Sequence, residues 1–400
     1  MAFGGPSGAQ PVWRCARAAR SSSGDPGRHR AVPAARCGGG VRGARSAAAA
    51  PRPRGVQARA LDPPAAASGG GPAGARRPVA DRRGRRDVST TRIAQLTDLH
   101  VIDFADLRPR DMATKRVTGW LNHRLHRSGA HDMQVLDAAI AAVCEDGPDH
   151  LVVTGDLTNL ALPSEFRAAR LRLDPVVRSG IPVTAIPGNH DVYLAGSVGV
   201  LERELEDLLA PEAGDGGGWP RLLRIGPVSL VHVNTAVATP PFMAWGRVGD
   251  EQLARLERVC SAERDAGQAV VIAAHHHPDR APARRSDERR NLRDGPALRA
   301  LCRRCGVDLL LHGHNHHHQV RRLADAPSTV ASGLGSASLG LAARPEKRAA
   351  VGRYTFSGPR LTGLHFRMWD ATRDAFSPWV EVSLDALPAP GRDAPFPGLA

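Results

Sequence analysis

The 400-residue chain carries 54 Lys and Arg against 40 Asp and Glu, a formal charge of +14, and its length suits one large or two ordinary domains. Residues 1–90 hold 17 Arg and 4 Asp, so +13 of that charge lies there and about +1 on the remainder. Residues 91–400 therefore offer no bulk electrostatic reason to bind nucleic acid or an anionic membrane, and no run approaches the ~18 apolar residues of a membrane span.

The first 90 residues are rich in Ala, Gly, Pro and Ser, with few large apolar side chains. Such a segment cannot bury enough surface to offset its ordering entropy, and a disordered Arg/Ala/Gly/Pro-rich extension is expected. Its Arg-rich, acid-poor start also has the composition of an organelle transit peptide, but it shows neither a clean amphipathic helix nor the apolar core of a secretory signal. The six cysteines are scattered. Cys302 and Cys305 form a CxxC that reads as a helix end at Gly306, because no second CxxC completes a zinc site. This usage suits a reducing compartment, and a cytoplasmic location is expected.

A catalytic domain is expected over 91–385, followed by a flexible tail over 386–400. "TRIAQLT" (91–97) is a short apolar run ending at Asp98, consistent with a strand. The basic, amphipathic "KRVTGWLNHRLHRSGAH" (115–131) reads as a solvated helix face with Trp120, Leu121 and Leu125 inward; the alternatives are a lid over substrate phosphates or a membrane-facing segment. A helix follows over 133–146, then a strand over 149–154, a helix over 164–177 with Ser164 as N-cap, and a strand over 181–187. Residues 201–210 read as a helix, and 221–235 as a hairpin around Gly226-Pro227. Beyond it, 250–263 and 296–305 are helical and 269–275 and 307–313 are buried strands. His232 and His365 read as ordinary strand residues. The alternation argues for a layered α/β domain.

Five apolar runs end in metal-type side chains: "QLTDLH" (Asp98, His100), "VVTGDLTN" (Asp156), "AIPGNHD" (Asn189, His190, Asp191), "IAAHHHP" (His275, His276, His277) and "LLHGHNH" (His314, His316). Ligand sites of open α/β sheets collect at the carboxyl ends of strands, so these five ends can converge. The mixture has a chemical reason. Two divalent ions a few ångströms apart need a shared carboxylate, and each then takes neutral imidazoles and hard oxygens. Each block alone could be a helix cap or a turn; the joint pattern points to a two-metal phosphoryl site.

The order Asp-x-His, Gly-Asp, Gly-Asn-His-Asp, His, Gly-His-x-His resembles the calcineurin-like metallophosphoesterases, over roughly residues 91–370. The resemblance implies a four-layer α/β/β/α sandwich of two mixed sheets flanked by helices. It implies one metal on Asp98, His100, Asp156 and His316, and a second on Asp156, Asn189, one histidine of 275–277 and His314. Alignment on Pro278 selects His276, leaving His275 to end the strand and His277 to back the ligands. His190 is implied to sit beside the phosphate, stabilising the transition state or protonating the leaving oxygen, with Asp191 accepting its other N–H.

The resemblance further implies hydrolysis by a hydroxide bridging two ions of Mn, Fe, Zn or Co. Purple acid phosphatases carry a tyrosine three residues after the bridging aspartate; Asn159 stands there here. "GDLTN", "PGNHD" and "GRVGDEQLARLE" (246–257) look most like the bacterial class III cyclic-nucleotide and glycerophosphodiester phosphodiesterase branch. A small-molecule phosphoester such as a 3',5'-cyclic nucleotide is the expected partner, with no nucleic-acid or membrane partner for the catalytic domain. The alternatives are a lipid-linked nucleotide-sugar pyrophosphatase, a nuclease of the same fold, and a non-catalytic scaffold, which should have lost ligands. His312 closes a strand, while His317 and His318 are expected to rim the pocket or face water.

Overall fold

The computed structural model describes residues 90–122, 131–213, 217–279, 289–340 and 345–392. The expected N-terminal extension, Leu125 and most of the expected tail lie outside them. In chain order the elements are β1 (Thr90–Leu96), α1 (Arg116–Asn122), α2 (Met133–Asp146), β2 (His150–Val153), α3 (Pro163–Arg178), β3 (Val183–Ala185), α4 (Ser197–Glu204), β4 (Arg221–Ile225), β5 (Val228–Val233), α5 (Asp250–Asp265), β6 (Ala269–Ala274), α6 (Gly295–Cys305), β7 (Leu309–His312), β8 (Gln319–Leu323), β9 (Ala326–Gly333), β10 (Ala350–Ser357), β11 (Arg360–Asp370), β12 (Ala375–Phe376) and β13 (Val380–Val382).

They form two mixed sheets. The first runs β12-β11-β10-β1-β2-β3, with β13 also on β11; the second runs β4-β5-β6-β7-β9-β8. β1, β2 and β3 are mutually parallel, as are β5, β6 and β7. One apolar layer packs the first sheet against α2, α3 and α4, through residues such as Leu136, Leu151, Phe166 and Leu201. A second layer fills the space between the sheets with Ile93, Leu230, Val271, Leu311 and Phe366. The third sets α5 and α6 on the outer face of the second sheet through Leu256, Cys260, Ile272, Leu301 and Cys302. This is the expected four-layer α/β/β/α order.

Local sequence explains the element ends. Asp132 caps α2 by accepting from the Gln134 N–H, and the helix stops where Gly147 takes φ 59°, a left-handed conformation natural to glycine. Its buried residues Val135, Leu136, Ala139, Ile140 and Val143 form one helical stripe. The expected Ser164 cap is corrected. Pro163 occupies the first helical position after Leu162, and the Ser164 hydroxyl donates instead to the Asp103 carbonyl at 2.7 Å. Glu165 does the capping, accepting from the Leu160 and Leu162 N–H groups. The helix expected over 201–210 is displaced, running Ser197–Glu204 with a 3-10 turn at Glu206–Leu208. In α1, Trp120 packs on the first apolar layer as expected, but Leu121 is exposed.

A buried polar network joins the sheets beneath their carboxyl edges. Tyr354 donates to Gln95 Oε1 at 2.6 Å and shares a 2.8 Å hydrogen bond with Ser332 Oγ. The Gln95 amide donates to Thr154 Oγ1 and to the His312 carbonyl. Tyr354→Phe leaves buried partners unsatisfied at a cost of about 1–3 kcal/mol. A lower urea midpoint with an unchanged m-value is the expected readout; an unchanged midpoint contradicts it.

Candidate metal centre

All five ligand-bearing segments lie at the carboxyl edges of β1, β2, β3, β6 and β7. The loops leaving β1 and β2 are tied by Asp98 N–H to Gly155 O (2.9 Å) and His100 N–H to Asp156 O (3.0 Å). Those leaving β6 and β7 are tied by Gly313 N–H to His275 O (3.0 Å). The two pairs meet where the His314 N–H donates to Asp98 Oδ2 at 3.1 Å. Such close approach needs glycine: a Cβ on Gly313 would sit 2.0 Å from Thr97 Oγ1, and one on Gly188 2.2 Å from Asp156 N.

The backbone bends sharply at these points. Asp98, His100, Asp156, His314 and His316 all have φ between 47° and 71°. Left-handed backbone costs an ordinary residue roughly 1–2 kcal/mol, and it persists where surrounding structure over-determines it, often at functional sites.

The side chains form two groups that share one carboxylate: Asp98, His100, Asp156 and His316, and Asp156, His275 and His314. In the first, His100 Nε2 lies 3.0 Å from His316 Nε2, and His316 Nε2 lies 3.1 Å from Asp98 Oδ1. Asp98 Oδ2 is occupied by the Thr97 hydroxyl and the His314 N–H, whereas the buried Oδ1 accepts no hydrogen bond. In the second, His275 Nδ1 donates to the Thr154 carbonyl at 2.8 Å, which leaves Nε2 facing Asn189 Oδ1 at 3.2 Å and Asp156 Oδ2 at 3.4 Å. His314 Nε2 donates to the Arg290 carbonyl, and its buried Nδ1 has no hydrogen-bond partner.

Unpartnered donor atoms thus face one another, an arrangement that bound cations would relieve. The donor set, carboxylates and imidazoles with one amide oxygen, suits two divalent transition metals. The electrostatics agree. Burial alone would favour a neutral Asp156, but His275, His190 and His100 hold its carboxyl well below the usual range. Burial, reinforced by His131, His190 and His316, keeps His100 well below its ordinary value and so neutral. Burial opposes charge on His275, yet Asp156 and Asp98 push it up to about 9.

His276, the expected ligand of the three, points elsewhere. Its Nδ1 shares a 2.8 Å hydrogen bond with Thr235 Oγ1 and its Nε2 donates to the Ala244 carbonyl at 3.3 Å. Both nitrogens are engaged by protein, whereas His275 is grouped with Asp156 and His314. The expected role of Asp191 is also corrected. Its buried carboxylate accepts from Leu157 N, Thr158 N, Thr158 Oγ1 and Gly188 N, clamping the loop after β2 to the loop after β3. The Asn159 carbonyl, 2.8 Å from His190 Nδ1, orients the imidazole instead.

The structure brings Asp98, His100, Asp156, His314 and His316 together, with Asn189 beside His275 and the His190 N–H on Asp156. His312 is buried at the end of β7, with its ring 4.3 Å from that of His277. His318 does not face water: it is buried, accepts from the Gly335 N–H, and burial lowers it to about 3. Sequence reasoning missed His131, whose ring lies 4.5 Å from His100 and which hydrogen-bonds Ser338. It also missed Tyr193, Phe242, Met243 and Arg290, which with Lys115 and Gly119 of the 115–131 stretch wall a cleft of about 310 Å³ that includes His190 and Asn189.

The comparisons with known proteins agree with this geometry. Two bacterial proteins align with the chain at 27% identity. One, from Psychrobacter sp. (strain PRwf-1), is named "Probable cyclic nucleotide phosphodiesterase"; the match covers 48% of this chain and 60% of that protein. The other, from Mycobacterium tuberculosis (strain CDC 1551 / Oshkosh), is named a cAMP/cGMP dual specificity phosphodiesterase; the match covers 46% of this chain and 54% of that protein. The chain therefore spans little more than half the length of these relatives. Among solved structures, the purple acid phosphatase PPD1 of yellow lupin (Lupinus luteus) superposes with a TM-score of 0.52 at 14% identity, over 74% of this chain and 54% of that one, a likeness of fold. The family model described as calcineurin-like phosphoesterase matches residues 91–318, a span holding every candidate ligand described above, and the chain belongs to that family.

Proposed function

We propose that the protein hydrolyses small phosphodiesters, a 3',5'-cyclic nucleotide in particular, using two divalent metal ions. The observation that carries this reading is the shared carboxylate: Asp156 belongs to both ligand groups. Asp98, His100 and His316 would complete one metal site; Asn189, His275 and His314 would complete the other. When bound, such ions would supply Lewis acidity toward the phosphoryl oxygens and a water activated at neutral pH. The names of the two bacterial relatives support the substrate class. The cleft volume, about 310 Å³, suits a small molecule.

The remaining chemistry falls to the chain itself. His190 donates its Nδ1 proton to the Asn159 carbonyl, an acceptor that cannot return it. Nε2 is then the nitrogen that, with the ring in its imidazolium form, would give a proton to the departing alkoxide and leave a neutral imidazole still protonated at Nδ1. Asp191 holds the two loops together and stays off the proton path.

The test is metal-stripped protein reconstituted with Mn, Fe, Zn or Co and offered cyclic AMP, a glycerophosphodiester, a monoester and DNA. Cyclic-nucleotide turnover should return as two equivalents of metal are added. Faster cleavage of DNA would replace this reading with a nuclease, and no turnover with any metal would overturn it.

A further inference from the structure

We infer that Phe242, on the loop between β5 and α5, is a stacking platform for a planar aromatic group of the substrate, and that Lys115 holds that platform in place. The inference rests on the small-phosphodiester reading and adds the residue that selects the nucleobase.

Phe242 lines the same cleft as Asp156, Asn189 and His190, yet 77% of it is exposed. Its backbone is at φ 63°, an outlier for a bulky residue, so its place is imposed by its surroundings. Those surroundings are rigid. Lys115 Nζ reaches across from the start of α1 and donates to Thr239 Oγ1 at 2.7 Å and the Met243 carbonyl at 3.2 Å. Thr239 Oγ1 also donates to the Met243 carbonyl, and the Met243 N–H to Pro240 O, which closes the turn that carries Phe242. Beyond it, the Ala244 N–H is held by Arg289 O and the Trp245 ring is covered by the Arg293 guanidinium at 3.7 Å.

Lys115 is committed to the loop. Burial lowers it to about 8, and its ammonium also lies 4.7 Å over the Tyr193 ring, another cleft wall. A preordered aromatic face at the mouth of a metal cleft loses little entropy on binding. Every base has a π-face it can meet, and one such stack is typically worth roughly tenfold in affinity.

Two measurements test this. In metal-loaded protein, Phe242→Ala should lower the ratio of kcat/KM for cyclic AMP to that for glycerophosphoethanolamine about tenfold, and Phe242→Trp should restore it. Lys115→Met should lower the same ratio, mainly through KM, with recovery in Lys115→Arg. In metal-free protein, calorimetry should show AMP binding about tenfold more tightly than ribose 5-phosphate, a preference lost in Phe242→Ala. A ratio that stays within twofold of wild type, or equal binding of the two probes by wild type, overturns the platform. Absence of all phosphoester turnover sinks the hydrolase reading instead, while the metal-free titration still decides the platform.

Discussion

His275→Ala should abolish stoichiometric occupancy of one of the two metal positions, while His276→Ala should retain both ions with weakened affinity. The two residues are adjacent and equally buried, so burial does not separate them; their hydrogen bonds do. His275 spends one nitrogen on the Thr154 carbonyl and turns the other to Asp156 and Asn189. His276 spends both on Thr235 and Ala244. Loss of a residue that only supports ligands typically costs 10–100-fold in metal affinity or activity. His276→Ala should fall within that range, and His275→Ala should exceed it. Elemental analysis of chelator-free protein, followed by titration with Mn and Zn, reads the difference. Two ions retained by His275→Ala, or one lost by His276→Ala alone, would reverse the assignment.

His190→Ala should lower kcat by about 10²–10⁴, the range for loss of a positioned general acid, with both metals still bound. Asp191→Asn should behave differently. The Asp191 carboxylate accepts three backbone N–H groups and a hydroxyl, and an amide there sets an NH₂ against other donors. About 1–3 kcal/mol of stability should be lost, visible as a lower urea midpoint. Well below that midpoint, turnover should fall far less than in His190→Ala. If Asp191→Asn loses as much kcat as His190→Ala and keeps its stability, Asp191 belongs to the proton path after all.

The layered fold and the convergence of five strand ends were legible because each strand is an apolar run that stops at a ligand-type residue. What stayed hidden was decided by partners distant in sequence. Three consecutive histidines at 275–277 look alike until Thr235 and Ala244 claim one and Thr154 orients another. Asp191 follows His190 directly, so pairing them was natural, but the turn at Gly188 sends the carboxylate to the loop after β2 instead. The strand β8 carries little apolar signal because "QVRRL" is mostly polar: its buried Arg321 is satisfied by Asp279, a partner distant in sequence. Phe242 gave no periodic signal, since it lies outside regular elements, and although Lys115 opens the amphipathic stretch 115–131, its contact with the Phe242 loop exists only in the folded chain.

The five ligand residues with left-handed backbone carry a consequence for redesign. Glycine adopts φ near 50° at no steric cost, so a protein optimised for thermal endurance alone would replace Asp98, His100, Asp156, His314 and His316 first, and would bind no metal. Endurance and turnover compete for the same five positions. Gains in thermostability for this chain should be sought in the helices and outer layers, and heat resistance bought at the strand ends should be read as damage.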